Sequence, residues 1–193
     1  MAHNFFPMIA RMRYIARWGL MRNTQPENIQ EHSHQVAVLA HALAVIRNRC
    51  FGGRVDPGTV AVAALYHDAS EILTGDLPTP IKYYNPAIRD AYKQVEHIAC
   101  GKLVGMLPPE LQPDFAEALT PTDPEVEELV KAADKISALI KCIEEDRMGN
   151  REFEMALRAQ EAKVEAIDLP EVAYFRKEFM PAYYLTLDEH TKS

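Results

Sequence analysis

Polarity varies with a helical period along almost the whole chain, and prolines and glycines mark where that period stops. Phe5, Ile9, Met12 and Ile15 lie near one face of a first predicted helix, Phe6 to Ala16, which closes at Arg17-Trp18-Gly19. A loop from Met21 to Glu27 follows. Asn28, three residues before Glu31, is placed to cap a helix that runs to about Arg49. On a wheel of about 100° per residue, His32, Val36, Leu39, Leu43 and Ile46 form one stripe, while His34, Val38, His41 and Val45 form nearly the opposite one. That pattern predicts packing on two sides, and only one of His32 and His34 can face a given site.

Phe51-Gly52-Gly53 breaks the pattern, and Asp56-Pro57 restarts it as a cap followed by proline in the first turn. Val60, Ala64, His67 and Glu71 then share a stripe, with Asp68 about a quarter-turn away. The segment Thr74-Gly75-Asp76-Leu77-Pro78-Thr79-Pro80 cannot continue a helix. Later helices are predicted from Pro86 to Met106, Glu110 to Leu119, Glu125 to Met148, Asn150 to Ile167, Glu171 to Phe179, and near Pro181 to Asp188. Tyr83, Tyr84, Tyr92 and His97 read as packing residues. Phe175, Phe179, Tyr183 and Tyr184 suit a terminal lid or a partner surface. Long alternating strand patterns are absent, so the expected fold is all-α, a single domain over residues 1–193.

The formal charge of -7 argues against a protein that grips a nucleic acid polymer through its phosphates. A small phosphorylated substrate needs only a local cation or a metal. Cys50, Cys100 and Cys142 are far apart and form no CxxC pair, as expected of reduced thiols in a cytoplasmic protein. No stretch reads as a signal or membrane-spanning segment.

Candidate chemistry centres on His67-Asp68, which supplies one nitrogen and one oxygen donor for a borderline divalent metal. His32 stands at the end of its helix where a ligand would approach the core. Glu71 is placed to move a proton for water or a leaving group. Arg17 beside the only tryptophan, Trp18, offers a guanidinium fork for phosphate and an indole for a base. Packing of the Arg17 stem on a buried Trp18 is the plainer reading of that pair. Asp134, between Lys131 and Lys135, reads by itself as a salt-bridged surface acid.

The order Glu31-His32, His67-Asp68 with Glu71, and Ala133-Asp134 resembles the HD-domain superfamily of metal-dependent phosphohydrolases. Arg17-Trp18, Leu20-Met21-Arg22-Asn23, the run Glu27 to Ser33 and the run His67 to Tyr83 look like the bacterial 5'-deoxynucleotidases. The likeness extends through Thr186-Leu187-Asp188-Glu189. The resemblance implies hydrolysis of deoxyribonucleoside 5'-monophosphates and an HD-domain helical bundle. It also implies one Co, Mn, Zn or Fe ion on His32, His67, Asp68 and Asp134, of which His32, Asp68 and Asp134 also meet substrate. Arg17 would orient the phosphate, Glu71 and Asp76 would serve catalysis, and Trp18 with Asp76, Leu77, Pro78 and Thr79 would contact the nucleoside. Gly19 after Trp18 and His34 after Ser33 depart from the pattern and bear on pocket shape without removing a required group. A homodimer in the cytoplasm, bound to neither membrane nor nucleic acid, completes the expectation. A different HD phosphohydrolase, acting on diesters or triphosphates, and a non-catalytic nucleotide sensor remain as alternatives.

Overall fold

Four of the helices start where an Asn or Asp side chain accepts the free N–H groups of the first turn. Asn28 accepts from Gln30 and Glu31 at 3.0 and 3.1 Å, and Glu31 returns a contact to the Asn28 N–H, closing a capping box. Asp56, Asn85 and Asp123 each cap a helix whose first residue is proline, with Asp56 Oδ2 accepting from Thr59 N at 2.8 Å. In the computed structural model, which describes residues 3–78 and 84–191, the helices are α1 (Phe5–Ile9), α2 (Ile29–Cys50), α3 (Pro57–Tyr66), α4 (Glu71–Thr74) and α5 (Pro86–Val104). They continue as α6 (Gln112–Leu119), α7 (Pro124–Arg147), α8 (Glu154–Glu165), α9 (Pro170–Glu178) and α10 (Leu187–His190). No strand occurs among the described residues. The sole β-type pairing there is an isolated bridge between Ala16 and Asn28.

The molecule is built on α2, which packs chiefly against α3 and α7. Val36, Leu39, Ala40 and Leu43 of α2, Val60 and Ala64 of α3, and Leu129, Ile136 and Ile140 of α7 form the main core, closed at one end by Val164, Val172 and Phe175. A second cluster gathers Phe5, Ala69, Leu103, Leu107 and Leu119. The rings of Phe5 and Phe115 meet edge to face within it, their centroids 4.9 Å apart. Ala69 belongs to this second cluster, so the turn after α3 lies where the two clusters meet.

Four expectations need correction. The first helix is shorter than predicted: α1 gives way to a 3₁₀ turn over Ala10–Tyr14 and ends before Ile15. The second face of α2 does not pack within the chain. Val38 is 57% exposed, and His34, His41 and Val45 are also exposed, because Ala37, Ala40 and Ala44 widen a single buried face instead. His67 and Glu71 do not share one helix. The segment 67–70 is a turn, with Ala69 N donating to Tyr66 O and Glu71 N to Asp68 O, before α4 begins at Glu71. Tyr84 and His97 are exposed rather than packed, since the first half of α5 stands clear of the core and burial on it begins at Ala99. Tyr83 lies outside the described residues.

One buried ion pair fastens the loop before α2 to α7. Lys141 and Glu145, 5% and 0% exposed at their side chains, meet at 2.5 Å. Glu145 also accepts from Thr24 N at 2.9 Å, Thr24 Oγ1 at 2.6 Å, Gln25 N at 3.2 Å and Asn150 Nδ2 at 2.7 Å. Burial raises the Glu145 pKa, but Lys141, Thr24 and Asn150 outweigh it and hold the carboxyl below its ordinary value. A depressed carboxylate stabilises the fold above the unfolded pKa of 4.5 and loses that contribution as pH falls through the folded value. Glu145→Ala should therefore cost about 3–5 kcal/mol at pH 7, the usual range for breaking a buried pair on one side. The difference from wild type should shrink below the ordinary Glu pKa. Urea unfolding at pH 7 and pH 3 checks both, and a gap that widens in acid would contradict the assignment.

Candidate active site

Two imidazoles face each other across the gap between α2 and the end of α3. His32 is 1% exposed on the first full turn of α2, where the Asn28 cap fixes its height. His67 follows the last residue of α3. The ring centroids lie 5.3 Å apart. Each ring has its Nδ1 committed. His67 Nδ1–H donates to the Ala64 carbonyl at 2.7 Å, the acceptor left open by the helix ending there. The Ser137 hydroxyl gives its only proton to Gln35 Oε1 at 2.6 Å, so at 3.2 Å it can only accept from His32 Nδ1–H.

Both Nε2 atoms are left buried without a well-formed hydrogen bond. Carboxylate oxygens lie nearby but off the N–H axis: Asp134 Oδ1 is 3.0 Å from His32 Nε2, and Asp68 Oδ2 is 3.5 Å from His32 Nε2 and 3.2 Å from His67 Nε2. Donor atoms of His32, His67 and Asp68 all fall within 4.8 Å of one another. Atoms that crowd together without bonding fit co-ligands of one cation, with the Nδ1 contacts orienting the rings as outer partners of a metal site do. Two nitrogens and carboxylate oxygens suit a divalent first-row transition metal.

Asp68 sits in the pair because α3 stops early. Burial raises its pKa, but His67, His32 and Arg17 outweigh that and keep it ionised. His32 is pushed the other way. Burial lowers its pKa, while Asp134 and Glu27 overcome burial and raise it to about 9. Any cation bound at Nε2 must therefore displace a proton.

Arg17 does not merely pack against Trp18. Its Nη1 reaches Asp68 Oδ2 at 3.3 Å and its Nε reaches Glu27 Oε2 at 3.3 Å. Burial disfavours its charge, yet Asp68, Asp134, Glu27 and Asp76 together raise its pKa above the ordinary value. Trp18 donates Nε1–H to the same Glu27 oxygen at 3.0 Å and leans on Phe153, ring centroids 5.4 Å apart. Its backbone holds φ at 56°, a left-handed conformation costly for a bulky residue. Strain of this kind persists only where surrounding bonds over-determine the chain. Here Arg17 N donates to Glu27 O at 2.9 Å and Ile29 N to Ile15 O at 3.0 Å, closing the loop at its base.

Glu71 is 4% exposed at the start of α4, directly after the His67-Asp68 turn. Asp76, Leu77 and Pro78 are half-buried beyond it. Gly75 makes that turn possible with φ at 73°, and its carbonyl accepts from the Tyr92 hydroxyl at 3.4 Å. Thr79 and Pro80 lie outside the described residues. The contributions of Glu27, Ser137 and Gln35 were not foreseen. Glu27 stands directly before the Asn28 cap and so at the mouth of the site, but an acid in a polar loop carries no periodic signal to single it out.

The all-helical bundle that brings His32, His67 and Asp68 together is the fold of HD-domain phosphohydrolases. An HD-domain phosphohydrolase from Listeria innocua superposes with a TM-score of 0.80 at 25% identity, covering 94% of this chain and 88% of that one. The HD phosphohydrolase DatZ of cyanophage S-2L, solved with dA and one catalytic Zn2+ ion, shares the fold at a TM-score of 0.61 and 24% identity over 92% of each chain. Within that class the chain belongs to the 5'-deoxynucleotidase YfbR-like family, whose model matches residues 4–183. It is 50% identical to the 5'-deoxynucleotidase of Vibrio cholerae over 96% of this chain and 97% of that protein. Its identity to 5'-deoxynucleotidase YfbR of Escherichia coli is also 50%, over 96% of this chain and 94% of that one.

If Asp134 completes the donor set, Asp134→Ala should fold, because the residue is only half-buried, and should lose metal. Elemental analysis after reconstitution reads this directly; full occupancy in the variant would remove Asp134 from the set.

Proposed function

We infer that this protein is a 5'-deoxynucleotidase, an enzyme that hydrolyses deoxyribonucleoside 5'-monophosphates to deoxynucleosides and phosphate. The observation that carries the reading is Arg17. A buried guanidinium lies 3.3 Å from a carboxylate of the candidate metal set, so a phosphate cation and a metal site adjoin. The close relatives carrying the 5'-deoxynucleotidase name support the same reaction.

His32, His67, Asp68 and Asp134 would hold one divalent ion, with Co, Mn, Zn and Fe all compatible with the donors. Such an ion supplies Lewis-acid polarisation of the phosphoryl group and makes water more acidic. Arg17 binds the phosphate and offsets charge that grows on its oxygens during attack. Water forms the new P–O bond as the bond to the 5'-oxygen breaks. Glu71, buried next to the His67-Asp68 turn, takes the proton from water or passes one to the departing 5'-oxygen. Trp18 stacks on the base, which tolerates any base because each presents a π face. Asp76, on the turn that Gly75 permits and Pro78 stiffens, accepts from the 3'-hydroxyl, and Leu77 and Pro78 beside it exclude a 2'-hydroxyl.

The working unit is a single HD domain spanning the chain, acting in the cytoplasm as a homodimer without nucleic acid or membrane partners. In support of that setting, no helix among the described residues is long and apolar enough to cross a membrane. The exposed Val38 and Val45 on the outer face of α2 offer apolar surface to a second copy.

Two experiments test the reaction. Wild type should hydrolyse dAMP, dGMP, dCMP, dTMP and dUMP with modest base preference and AMP poorly, and Asp76→Ala should narrow the gap between dAMP and AMP. A rigid polar contact can discriminate strongly where an apolar pocket cannot. Equal kcat/KM for dAMP and AMP on wild type defeats the deoxyribose reading, while turnover of cyclic or triphosphate nucleotides alone would favour another HD activity. Glu71→Ala should keep metal and nucleotide binding while kcat falls by about 10²–10⁴, the usual loss on removing a general acid or base. Near-normal kcat in that variant would assign Glu71 to structure.

A further inference from the structure

The Glu27 carboxylate has its oxygens divided between two parts of the site. Oε2 accepts from both Trp18 Nε1 at 3.0 Å and Arg17 Nε at 3.3 Å, the two groups assigned to nucleoside and phosphate. Oε1 lies 3.7 Å from His32 Nδ1, on the side of the ring away from the donor cluster. The side chains of Arg17 and Glu27 are each 13% exposed, so the contacts form where water competes little. Glu27 is itself held in place. Its carbonyl accepts from Arg17 N at the base of the loop, and Asn28 next to it caps α2. The Glu145 and Lys141 pair pins Thr24 and Gln25 just ahead of it.

We propose that Glu27 is a positioning residue that ties the Arg17 and Trp18 pose to His32, so that the phosphate and base contacts stand at a fixed distance from the metal ligands. The proposal rests on the deoxynucleotidase reading of the site. The geometry gives it content beyond that reading. Arg17 and Trp18 are consecutive, and in extended backbone consecutive side chains point to opposite faces. The left-handed φ of 56° at Trp18 removes that constraint, and one shared acceptor draws the indole N–H and guanidinium N–H together. Among the described residues Trp18 Nε1 has no hydrogen-bond acceptor besides Glu27, and the other carboxylate Arg17 reaches at 3.3 Å is Asp68. Glu27 is outside the donor set and bonds the side chains of Arg17 and Trp18, so its effect runs through those two residues.

The sole tryptophan makes the tie readable without turnover. Metal-saturated wild type, Glu27→Gln and Glu27→Ala would be compared by Trp18 emission, acrylamide quenching and steady-state kinetics on dAMP. In Glu27→Gln the amide oxygen still accepts from the indole, so emission should match wild type. KM should rise about tenfold with a smaller change in kcat, because the carboxylate charge facing Arg17 Nε is lost. In Glu27→Ala emission should shift to the red, quenching should increase, and kcat/KM should fall by about 100-fold, the upper end for losing an outer partner of this kind. Failure of Glu27→Ala to fold leaves Glu27→Gln as the test, which then must show the KM effect. Unchanged emission with kcat/KM within twofold of wild type in folded Glu27→Ala overturns the proposal. So does a loss confined to kcat. A wild type that does not hydrolyse dAMP would count against the assigned reaction instead, and Trp18 emission would still report whether Glu27 holds the loop.

Discussion

Two buried imidazole nitrogens, each denied a good hydrogen bond, are the constraint that the rest of the structure serves. A ring nitrogen removed from water without a partner costs free energy of about 1–3 kcal/mol by mutational measures. The fold accepts that cost twice within one gap and fixes it in place. The Asn28 capping box sets the start of α2 and thus the height of His32. Ser137 and Gln35 orient its ring from α7 and α2. The Ala64 carbonyl, unused because α3 ends, does the same for His67. Three elements of the main core therefore meet at the donor set, and the pairing of α2 with α3 and α7 is what makes them meet.

How far the fold and site were legible differs by the physics behind each feature. Helix starts were plain because Asx-Pro and Asn-x-x-Glu act locally, through hydrogen bonds within four residues. The wheel failed at two points where tertiary structure decides. It carried His67 and Glu71 along one helix, but α3 ends at Tyr66, and Ala69 anchors the following turn in the second hydrophobic cluster. That turn brings Asp68 Oδ2 within 3.2 Å of His67 Nε2, which adjacent side chains diverging by 100° on a helix would not favour. The wheel also gave Val38 and Val45 an intrachain partner, where alanines had widened the opposite face. Asp134 read as a surface acid from its lysine neighbours alone; the family resemblance set it among the ligands, and α7 brings it within 3.0 Å of His32 Nε2.

Glu27 shows why some contributors escape sequence reading altogether. Its contacts reach Trp18, Arg17 and His32, none of them at helical spacing from it, through a loop closed by one backbone bridge. Burial raises its pKa, yet His32, Arg17 and Trp18 lower it further and keep it charged. The same loop contains the strained Trp18 backbone and is fastened at its far side by Glu145, a residue 121 positions from Thr24. Long-range polar contacts carry no periodic imprint, so the loop reads simply as polar.

Charge balance links these pieces to the choice of ligand. Asp68, Asp134, Glu27 and Asp76 all act on the single guanidinium of Arg17. The side chains of Asp68 and Glu27 are 17% and 13% exposed, so little solvent is present to screen one carboxylate from another. One arginine does not balance these acids, of which Asp68 and Glu27 are the least screened by water, and a protonated His32 offsets only part of the remainder. A divalent cation held by His32, His67 and Asp68 would complete the balance, whereas a further phosphate-binding site of lysines and arginines would leave the imidazole nitrogens without partners. The phosphate of a monoester would then meet positive charge from two sides, such an ion and Arg17, inside a protein whose formal charge is -7. That contrast confines attraction for phosphate to one point, which favours a small monoester over a polyanionic strand that needs cations along its length.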